Sequence, residues 1–474
     1  MMTTARPPVS TIDDLRGRRA VVLGLARSGV AASRFLADAG AVVVAYDRRP
    51  LVELADVASL LAEHPVRLAV GVTEDEAKAL LEHAELLVSS PSISPDFPTT
   101  EPWLRDALHA ALARGTELVS EVELFLRLTR ARILGVTGTK GKTTTASLVS
   151  AILQCAGMPS VLGGNIGTPL IERARDLTVE DWAILELSEL QLPTISRGAD
   201  VAIYTNVGAD HLDRHGTVEA YRAVKARLAT LTIPNGRVVL NHDDPGCREI
   251  GASIPAESVA WYGHDRPGIG TDEAFVDPEG WIRMAGERLM PARDVLLPGR
   301  HMLGNALAAG LGAALAGAPA EHIAEGIAGF GGVAHRLELV RERGGVRWVN
   351  DSQATIPVAA MAALEAYDAP IILITGGQGK GLAYDELAEV IVRRARGVVL
   401  IGETADELVG LIRGRVPVTR ASDMPDAVAR AARLALPGSV VLLAPAAASF
   451  DMFTDYAARG DAFRSAVQAL EEAR

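Results

Sequence analysis

The stretch GVTGTKGKTTT, residues 135–145, has the residue types of a phosphate-binding loop. Its glycines let backbone N–H groups turn toward phosphate oxygens, Lys142 can reach the terminal phosphates, and the Thr143 hydroxyl can bind magnesium. The apolar run RILGVTG precedes the loop, and a helical pattern follows it and presents a positive N-terminus to the anion. The strict pattern has glycine where Val136 stands. We therefore predict a nucleotide triphosphate site with magnesium; the alternative is a glycine-rich turn with surface lysines.

A second magnesium ligand is expected at the end of a neighbouring apolar strand. The run WAILELS places Glu186 directly after the apolar residues 182–185. A carboxylate oxygen is the kind of ligand that magnesium prefers. We interpret Glu186 as that ligand, against the alternative of an ordinary glutamate at a strand end.

The segment NVGADHLDRHG places Asp210, His211, Asp213 and His215 within six positions. No cysteine and no helical histidine pair supports zinc here, and magnesium usually prefers oxygen to a histidine nitrogen. We expect Asp213 and His215 to face solvent or to cap a helix. The residues by themselves leave the role of His211 open.

A lysine lies on the apolar stripe of the next helix. The pattern TVEAYRAVKARLATL puts Val218, Tyr221, Lys225 and Leu228 on one face, at spacings of three and four residues. Either Lys225 extends its ammonium to solvent along the apolar surface, or it is desolvated, which lowers the pKa of an amine and makes it available for modification or catalysis.

The elements that must position these residues fall into three blocks of alternating apolar runs and helical patterns. The first opens with RRAVVLGLARSGVAASRFLADAGAVVVAYDRR, a strand–helix–strand unit with parallel strands. The predicted fold class is α/β, with a central P-loop domain whose parallel-rich sheet is flanked by two Rossmann-like, doubly wound domains. The predicted domain ranges are 1–120, 121–332 and 333–474, with glycines 329–332 suited to a hinge or a simple turn.

The composition disfavours several classes of protein, among them nucleic-acid-binding, disulfide-rich and membrane proteins. The 474 residues include 47 Lys and Arg against 59 Asp and Glu, for a net charge of −12. Binding to nucleic acid is disfavoured, because it needs a basic face. The two cysteines form neither a disulfide framework nor a zinc pattern. The start lacks the apolar core of a signal peptide, and the Ala/Gly-rich tract 305–320 is too short to span a bilayer and is typical of a tightly packed helix. We expect a cytoplasmic, monomeric protein without membrane insertion.

Ten motifs in a fixed order resemble the Mur ligases of bacterial cell-wall synthesis, and most of all their glutamate-adding members. They are GVTGTKGKTTT, GGNIGTP, LELSELQL, TNVGADHLDRHG, YRAVK, LPGRHMLGNALAA, AHRLE, NDSQAT, GGQGKG and PAAASFD. The resemblance implies ATP-dependent addition of D-glutamate to UDP-N-acetylmuramoyl-L-alanine, through an acyl phosphate and a tetrahedral intermediate. Such a protein would serve peptidoglycan synthesis, and hence cell shape and division.

The same resemblance implies roles for particular residues. Lys142, Glu186, His211 and Lys225 would be catalytic; two magnesium ions would be held by Thr143, Glu186, His211 and Lys225, the last as a carbamate. The ATP-binding residues would be Gly138, Thr139, Lys140, Gly141, Lys142, Thr143, Thr144, Asn305, Arg336 and Asp351. Arg336 and Asp351 belong to the third block, which would close over the second to complete the site.

Substrate residues are implied in the same way. In the turn GLARSG, Ala26 replaces the middle glycine of a dinucleotide fingerprint, which disfavours an NAD site. The resemblance implies that this turn contacts UDP, and NAD binding is the alternative. The UDP-substrate residues would be Arg27, Ser28, Asp47, Arg48, Arg49, Ser92, Asn165 and His211. The glutamate residues would be Thr355, Lys380, Ser449 and Tyr456, with Ser449 at the start of a helix whose N-terminus would suit a carboxylate.

Several positions depart from the family pattern. Glu189 and Leu190 replace a small polar and an aromatic residue, Gln353 replaces a common lysine, and Ser92 a glycine; Met302 stands where an asparagine usually follows His301. These departures leave L-glutamate open as the substrate. A second hypothesis is that the protein is another Mur-type or folylpolyglutamate-type ligase, and the UDP-type first block disfavours it. A regulatory P-loop protein would need a base-reading motif that we do not find.

Overall fold

The computed structural model describes residues 6–208, 217–232, 236–266, 268, 272–296 and 299–470. Within these ranges, helices cover three β-sheets that are mainly parallel, so the predicted α/β class is confirmed. The chain divides into two compact units, residues 1–330 and 331–474. The first unit contains two of the sheets and the second unit contains the third. The division falls inside the glycine-rich segment 329–332.

The first sheet has five parallel strands in the order β3-β2-β1-β4-β5. Its strands are β1 (Arg19–Leu23), β2 (Val42–Asp47), β3 (Val66–Val70), β4 (Leu86–Ser89) and β5 (Glu117–Ser120), and the helices of this part are α1 (Arg27–Asp38), α2 (Ala55–Leu61), α3 (Glu74–Glu82) and α4 (Pro102–Ala113). Residues 20–23 of β1 are apolar because the strand is buried on both faces. The strand order reverses at β1, which opens a crevice at the carboxyl ends of β1, β2 and β4.

The central sheet has nine strands in the order β14-β13-β12-β11-β10-β9-β6-β8-β7. They are β6 (Arg132–Thr137), β7 (Ser160–Gly164), β8 (Trp182–Glu186), β9 (Val201–Tyr204), β10 (Arg237–Asn241), β11 (Val259–Tyr262), β12 (Glu273–Val276), β13 (Trp281–Met284) and β14 (Glu287–Pro291), with helices α5 (Glu121–Leu128), α6 (Lys142–Cys155), α7 (Val218–Thr232), α8 (Pro245–Ala252), α9 (Arg300–Leu315) and α10 (Ala320–Gly329). Strands β6 to β12 are parallel, so the loops that follow them meet at one edge of the sheet.

Two details of this sheet bear on the sequence patterns. Strands β12 to β14 extend it as antiparallel hairpins, which the apolar runs did not indicate. The β13–β14 turn uses Ala285 and Gly286, both with positive φ, as a type I′ turn requires. Most of the Ala/Gly-rich tract, residues 305–315, lies in the buried helix α9, as predicted; a side chain at Gly312 would collide with Ile203 of β9.

The second unit contains a six-stranded sheet in the order β15-β16-β20-β17-β18-β19. Its strands are β15 (Glu338–Arg343), β16 (Val346–Asn350), β17 (Ile371–Gly376), β18 (Ala395–Ile401), β19 (Val418–Arg420) and β20 (Val440–Leu443), and its helices are α11 (Pro357–Glu365), α12 (Asp385–Arg394), α13 (Ala405–Ile412), α14 (Met424–Leu434) and α15 (Tyr456–Gln468). All neighbours are parallel except β15 and β16, which a Gly344–Gly345 turn joins into a hairpin. In the part of the chain that the structure describes, no helix combines the length and apolarity needed to cross a membrane.

Candidate functional site

The loop between β6 and α6 depends on two glycines. Gly138 has φ 148° and Gly141 has φ 86°, conformations that L side chains rarely adopt. A Cβ at Gly138 would collide with the Thr205 hydroxyl, and a Cβ at Gly141 would lie 2.6 Å from Oδ1 of Asn305. Glycine is therefore required at both positions by conformation and by space.

The lysine of the loop folds over it. Nζ of Lys142 donates to the carbonyl oxygens of Gly138 and Thr139 at 3.0 and 3.1 Å. Thr143 and Thr144 follow in the first turn of α6, half-buried like Lys142 itself. The loop thus combines an ammonium group, two hydroxyls and a helix N-terminus, which together suit a polyphosphate.

The segment after β9 fastens the loop. Backbone N–H groups of Thr139 and Lys140 donate to the carbonyl and to Oδ1 of Asn206 at 2.8 and 3.0 Å, and Nδ2 of Asn206 donates to the Lys140 carbonyl at 3.0 Å. Oγ1 of Thr205 donates to the same carbonyl at 2.6 Å. Sequence reasoning missed Asn206, whose signal was its place directly after a buried strand that neighbours β6.

Lys225 is buried completely, with 0% of its surface exposed. Its Nζ donates to Oγ1 of Thr137 at 3.2 Å, and that hydroxyl donates to the Leu187 carbonyl at 2.8 Å. The ammonium also lies 5.6 Å from the ring centroid of Tyr221, whose hydroxyl is 3.1 Å from Oγ1 of Thr139. Of the two alternatives, desolvation therefore holds and extension to solvent does not.

Glu186 ends β8 beside the phosphate loop. The carboxyl is 1% exposed, and β8 pairs it with Val136 of β6. Its Oε1 accepts a hydrogen bond from Nδ2 of Asn165 at 2.8 Å, and the Asn165 N–H donates to the Glu186 carbonyl at 2.8 Å. Oε2 is buried and has no hydrogen-bond partner among the described residues. Because buried carboxylate oxygens are normally paired, this orphaned oxygen fits a magnesium ligand.

Of two further predicted site residues, the structure describes Asn305 and does not describe His211. Asn305, on α9, is 8% exposed and lies against Gly141, as the close approach of its Oδ1 shows. His211 lies outside the described residues, together with Asp210, Asp213 and His215. The sheet edge thus brings Lys142, Thr143, Glu186, Lys225 and Asn305 to one place, whereas His211 is not described.

A cavity of about 400 Å³ lies in the crevice of the first sheet, and Asp47 is one of the residues that line it. The carboxylate accepts from the Leu25 N–H at 2.9 Å and from the N–H, Nε and Nη2 of Arg49 at 2.9–3.0 Å. Burial raises the pKa of Asp47, but the hydrogen bonds from Arg49 and Leu25 outweigh it and lower that pKa to about 2. Arg48 and Ser92, two of the predicted substrate residues, also line this cavity.

A second cavity of about 180 Å³ lies between the first and central sheets. It is lined by Arg27, Ser28, Asn165 and others, and it shares Ala26 and Ser90 with the first cavity. The two cavities are therefore adjacent, and together their linings extend from Asp47 to Asn165, the hydrogen-bond partner of Glu186. Glycine is required at Gly29, in the first turn of α1, because a Cβ there would collide with the Gly24 carbonyl.

In the second unit, Arg336 and Asp351 lie close to each other. Asp351 is 6% exposed, and its Oδ1 accepts from the Leu337 N–H at 3.0 Å. Burial raises the pKa of Asp351 to about 6, although that hydrogen bond and the charge of Arg336 act in the opposite direction. The pair is thus a buried carboxyl next to an exposed guanidinium.

The predicted glutamate residues are partly brought together. Nζ of Lys380 donates to Oγ1 of Thr355 at 3.1 Å. Gln378 and Ala448 exchange two hydrogen bonds of 2.9 Å, which places the GGQGKG loop beside the segment of Ser449.

The expectation that Ser449 begins a helix is wrong. The helix α15 begins at Tyr456, because Asp455 caps it by accepting from the Ala458 N–H at 2.7 Å. Ser449 is buried in the turn before it, and its carbonyl accepts from Met452 and Phe453.

The residues that depart from the family pattern lie in different surroundings. Ser92 lines the first cavity, with its Oγ 3.3 Å from Oγ of Ser90. Met302 contacts Asn305 through Sδ, 3.7 Å from Nδ2. Glu189 is buried, and Gln353 is exposed.

Comparisons with protein families match two parts of the chain. Residues 136–313 match the Mur ligase middle domain, and residues 335–447 match the Mur ligase glutamate ligase domain. The first match contains the phosphate loop, Glu186, Lys225 and Asn305. The second contains the Lys380–Thr355 pair.

Curated relatives match over nearly the whole length. UDP-N-acetylmuramoylalanine–D-glutamate ligase of Symbiobacterium thermophilum is 39% identical, over 95% of this chain and 98% of that protein. The proteins of the same name from Solibacter usitatus and Alkaliphilus metalliredigens are 39% and 35% identical, each over 96% of this chain and 99% of the relative.

Solved structures show the same fold. UDP-N-acetylmuramate–alanine ligase from Thermotoga maritima superposes with a TM-score of 0.54 at 16% identity, covering 95% of this chain and 99% of that one. A UDP-N-acetylmuramoyl-L-alanyl-D-glutamate–2,6-diaminopimelate ligase gives 0.53 at 17% identity, covering 95% and 92%.

Proposed function

The chain belongs to the Mur ligase family of ATP-dependent, ADP-forming ligases, and from this premise we propose that it joins D-glutamate to the carboxylate of UDP-N-acetylmuramoyl-L-alanine. The reaction makes a peptidoglycan precursor, and we propose the cytoplasm as its place. The observation that carries this proposal is the pair of adjacent cavities whose linings extend from Asp47 to Asn165, the partner of Glu186. A substrate with a nucleotide at one end and a carboxylate at the other needs such an extended site.

The UDP group occupies the cavity at Asp47. The ionised carboxylate suits the hydroxyls or ring N–H of uridine, because it accepts hydrogen bonds and does not donate them. Arg27 and Arg48 line the two cavities and supply positive charge for the diphosphate. Ser28 and Asn165 continue this site toward the reacting carboxylate.

ATP binds at the phosphate loop, and Lys142 holds its terminal phosphates. Thr143 and Glu186 would hold magnesium, which would supply the charge neutralisation that lets two anions approach each other. The orphaned Oε2 of Glu186 supports this assignment. Asn305 binds the adenine.

Lys225 carries a carbamate in the active protein. The neutral amine nitrogen, formed when the ammonium loses a proton, bonds to the carbon of CO2, one C=O bond of CO2 becomes C–O−, and the nitrogen loses a second proton. The resulting carbamate oxygens would serve as ligands for a second magnesium ion. Complete burial supports this, because desolvation makes a lysine amine available for modification. The family resemblance assigns His211 to the same ion, and His211 lies outside the described residues.

The reaction proceeds in two transfers. An oxygen of the substrate carboxylate attacks the γ-phosphorus of ATP, and ADP leaves; this gives an acyl phosphate. The neutral amine of D-glutamate then attacks the acyl carbon, and the tetrahedral intermediate expels phosphate while the nitrogen loses a proton. Lys142 stabilises the charge on the transferred phosphoryl group, and Lys380 with Thr355 binds a carboxylate of the glutamate.

The deciding measurement is phosphate release from ATP with UDP-N-acetylmuramoyl-L-alanine and each of D-glutamate, L-glutamate, lysine or no amino acid. We expect release only with D-glutamate, accompanied by a product heavier by one glutamyl residue. Lys142→Ala is the matched control for contaminating phosphatase, since it removes the phosphate-binding ammonium. Release that does not depend on D-glutamate would overturn the proposal, and release with L-glutamate alone would correct its substrate.

A further inference from the structure

His264, directly beyond β11, has acceptors at both ring nitrogens. Its Nδ1 lies 2.6 Å from Oδ2 of Asp243, and its Nε2 lies 2.8 Å from the carbonyl oxygen of Arg300. The His264 backbone N–H donates to the same Asp243 oxygen at 2.9 Å. A carbonyl oxygen only accepts, so Nε2 carries a proton there.

The second acceptor is a carboxylate. Burial raises the pKa of Asp243, but the hydrogen bonds from His264 and the nearby charges of His264 and Arg300 outweigh this and lower it. An ionised carboxylate only accepts hydrogen bonds, so the Asp243 oxygen is a suitable partner for Nδ1. The ring therefore bridges the Asp243 carboxylate and the Arg300 carbonyl through a single side chain.

The His264 contacts belong to a closed series of hydrogen bonds at the edge of the central sheet that carries the phosphate loop. The Asp243 N–H donates to Oδ1 of Asn241 at 3.0 Å, and Nδ2 of Asn241 donates to the Thr205 carbonyl at 2.9 Å. Thr205 and the next residue hold the phosphate loop, as described above. On the other side, the Arg300 carbonyl belongs to the first turn of α9, which places Asn305 against Gly141.

We propose that His264 is a positioning residue for nucleotide binding: it ties the start of α9 to the ends of β10 and β11, and so fixes Asn305 relative to the phosphate loop. Among the described residues, the contact between His264 and the Arg300 carbonyl is the one side-chain hydrogen bond that joins the first turn of α9 to these strand ends. The exposed fraction of the His264 side chain is 19%, so its contacts are only partly screened by water. This inference rests on the proposed role of Asn305.

The test uses the full-length protein and compares His264→Ala, His264→Gln and the control His64→Ala. His64 forms a similar contact, with Nδ1 2.9 Å from Oδ1 of Asp38, and it lies between α2 and β3, outside the central sheet and its phosphate loop. We measure the Kd for ADP with magnesium by calorimetry, the Kd for the UDP substrate, and the KM for ATP with kcat. Thermal unfolding reports whether each variant is folded.

For His264→Ala we expect the ADP Kd and the ATP KM to rise about tenfold, as loss of one or two hydrogen bonds to charged groups implies. The Kd for the UDP substrate and kcat stay within about twofold of wild type, as local repositioning requires. For His264→Gln, which keeps one hydrogen-bond donor, we expect values of the ADP Kd and the ATP KM between those of wild type and His264→Ala. If His264→Ala does not fold, His264→Gln is the variant that tests the inference. His64→Ala matches wild type.

Equal ADP affinity in wild type and His264→Gln would overturn the inference, and so would a parallel loss of affinity for ADP and the UDP substrate. These results are distinct from failure of the proposed function. ADP binding needs no turnover, so a wild-type protein that lacks D-glutamate-dependent phosphate release still shows the effect of His264.

Discussion

Glu121 is a buried carboxyl whose substitution by glutamine should stabilise the first unit above neutral pH. It is the first residue of α5, it is 3% exposed, and its Oε1 accepts from the Ile171 N–H at 3.1 Å. Burial raises the pKa of Glu121 to about 7, and the charge of Glu172 adds to this, while hydrogen bonds from the Leu170 and Ile171 backbone act in the opposite direction. The side chain therefore keeps a proton in the folded state at a pH where the unfolded chain has released it.

The sign and size of the effect follow from this difference. Between the unfolded pKa of 4.5 and the folded pKa of about 7, the folded state binds more protons, so the stability of wild type falls as pH rises. The total loss is about 3 kcal/mol, since one pKa unit corresponds to about 1.4 kcal/mol, and about 1 kcal/mol of it falls between pH 6 and pH 8. Glu121→Gln keeps an oxygen for the Ile171 N–H and cannot ionise, so it avoids that loss.

The assay is urea unfolding of wild type and Glu121→Gln at pH 6, 7 and 8, followed by tryptophan fluorescence. We expect the stability of the variant relative to wild type to increase by about 1 kcal/mol from pH 6 to pH 8. The control Glu76→Gln should show no such gain, because hydrogen bonds from Thr73 lower the pKa of Glu76. A relative stability of Glu121→Gln that is constant or falling over this range would refute the argument that the carboxyl is held neutral.

Three further predictions concern the site. Lys225→Ala should lose most phosphate-release activity and recover part of it with added acetate or formate, whose carboxylate replaces the carbamate oxygens; full activity without additive would contradict the carbamate. Gly141→Ala should raise the KM for ATP about tenfold or more, because the new Cβ meets Asn305 at a position with φ 86°; an unchanged KM would show that the loop adapts. Asp47→Asn should raise the KM for the UDP substrate about tenfold while leaving the ADP Kd unchanged; calorimetry with each ligand separates the two, and equal effects on both would contradict a uridine role.

Much of the candidate site follows from local patterns in the sequence. The strand–loop–helix order around residues 135–155 requires no distant contact, because glycine conformation and helix polarity are local properties. The stripe on α7 predicted that Lys225 would lie among apolar neighbours, since helical periodicity fixes which side chains share a face. The start of α15 shows the limit of such reasoning: a serine and an aspartate both suit the helix N-terminus, and packing selected Asp455.

The sequence by itself therefore determined the alternation of strands and helices, the phosphate loop, and the acidic and basic residues at strand ends. Only the tertiary structure decided that β6 lies between β8 and β9, which sets Glu186 beside the loop and Asn206 against its backbone. It also decided that Lys225 is fully buried and that His264 reaches α9. The physical reason is that the pairing of parallel strands depends on side chains far apart in the chain, so local periodicity carries no record of which strand ends become neighbours.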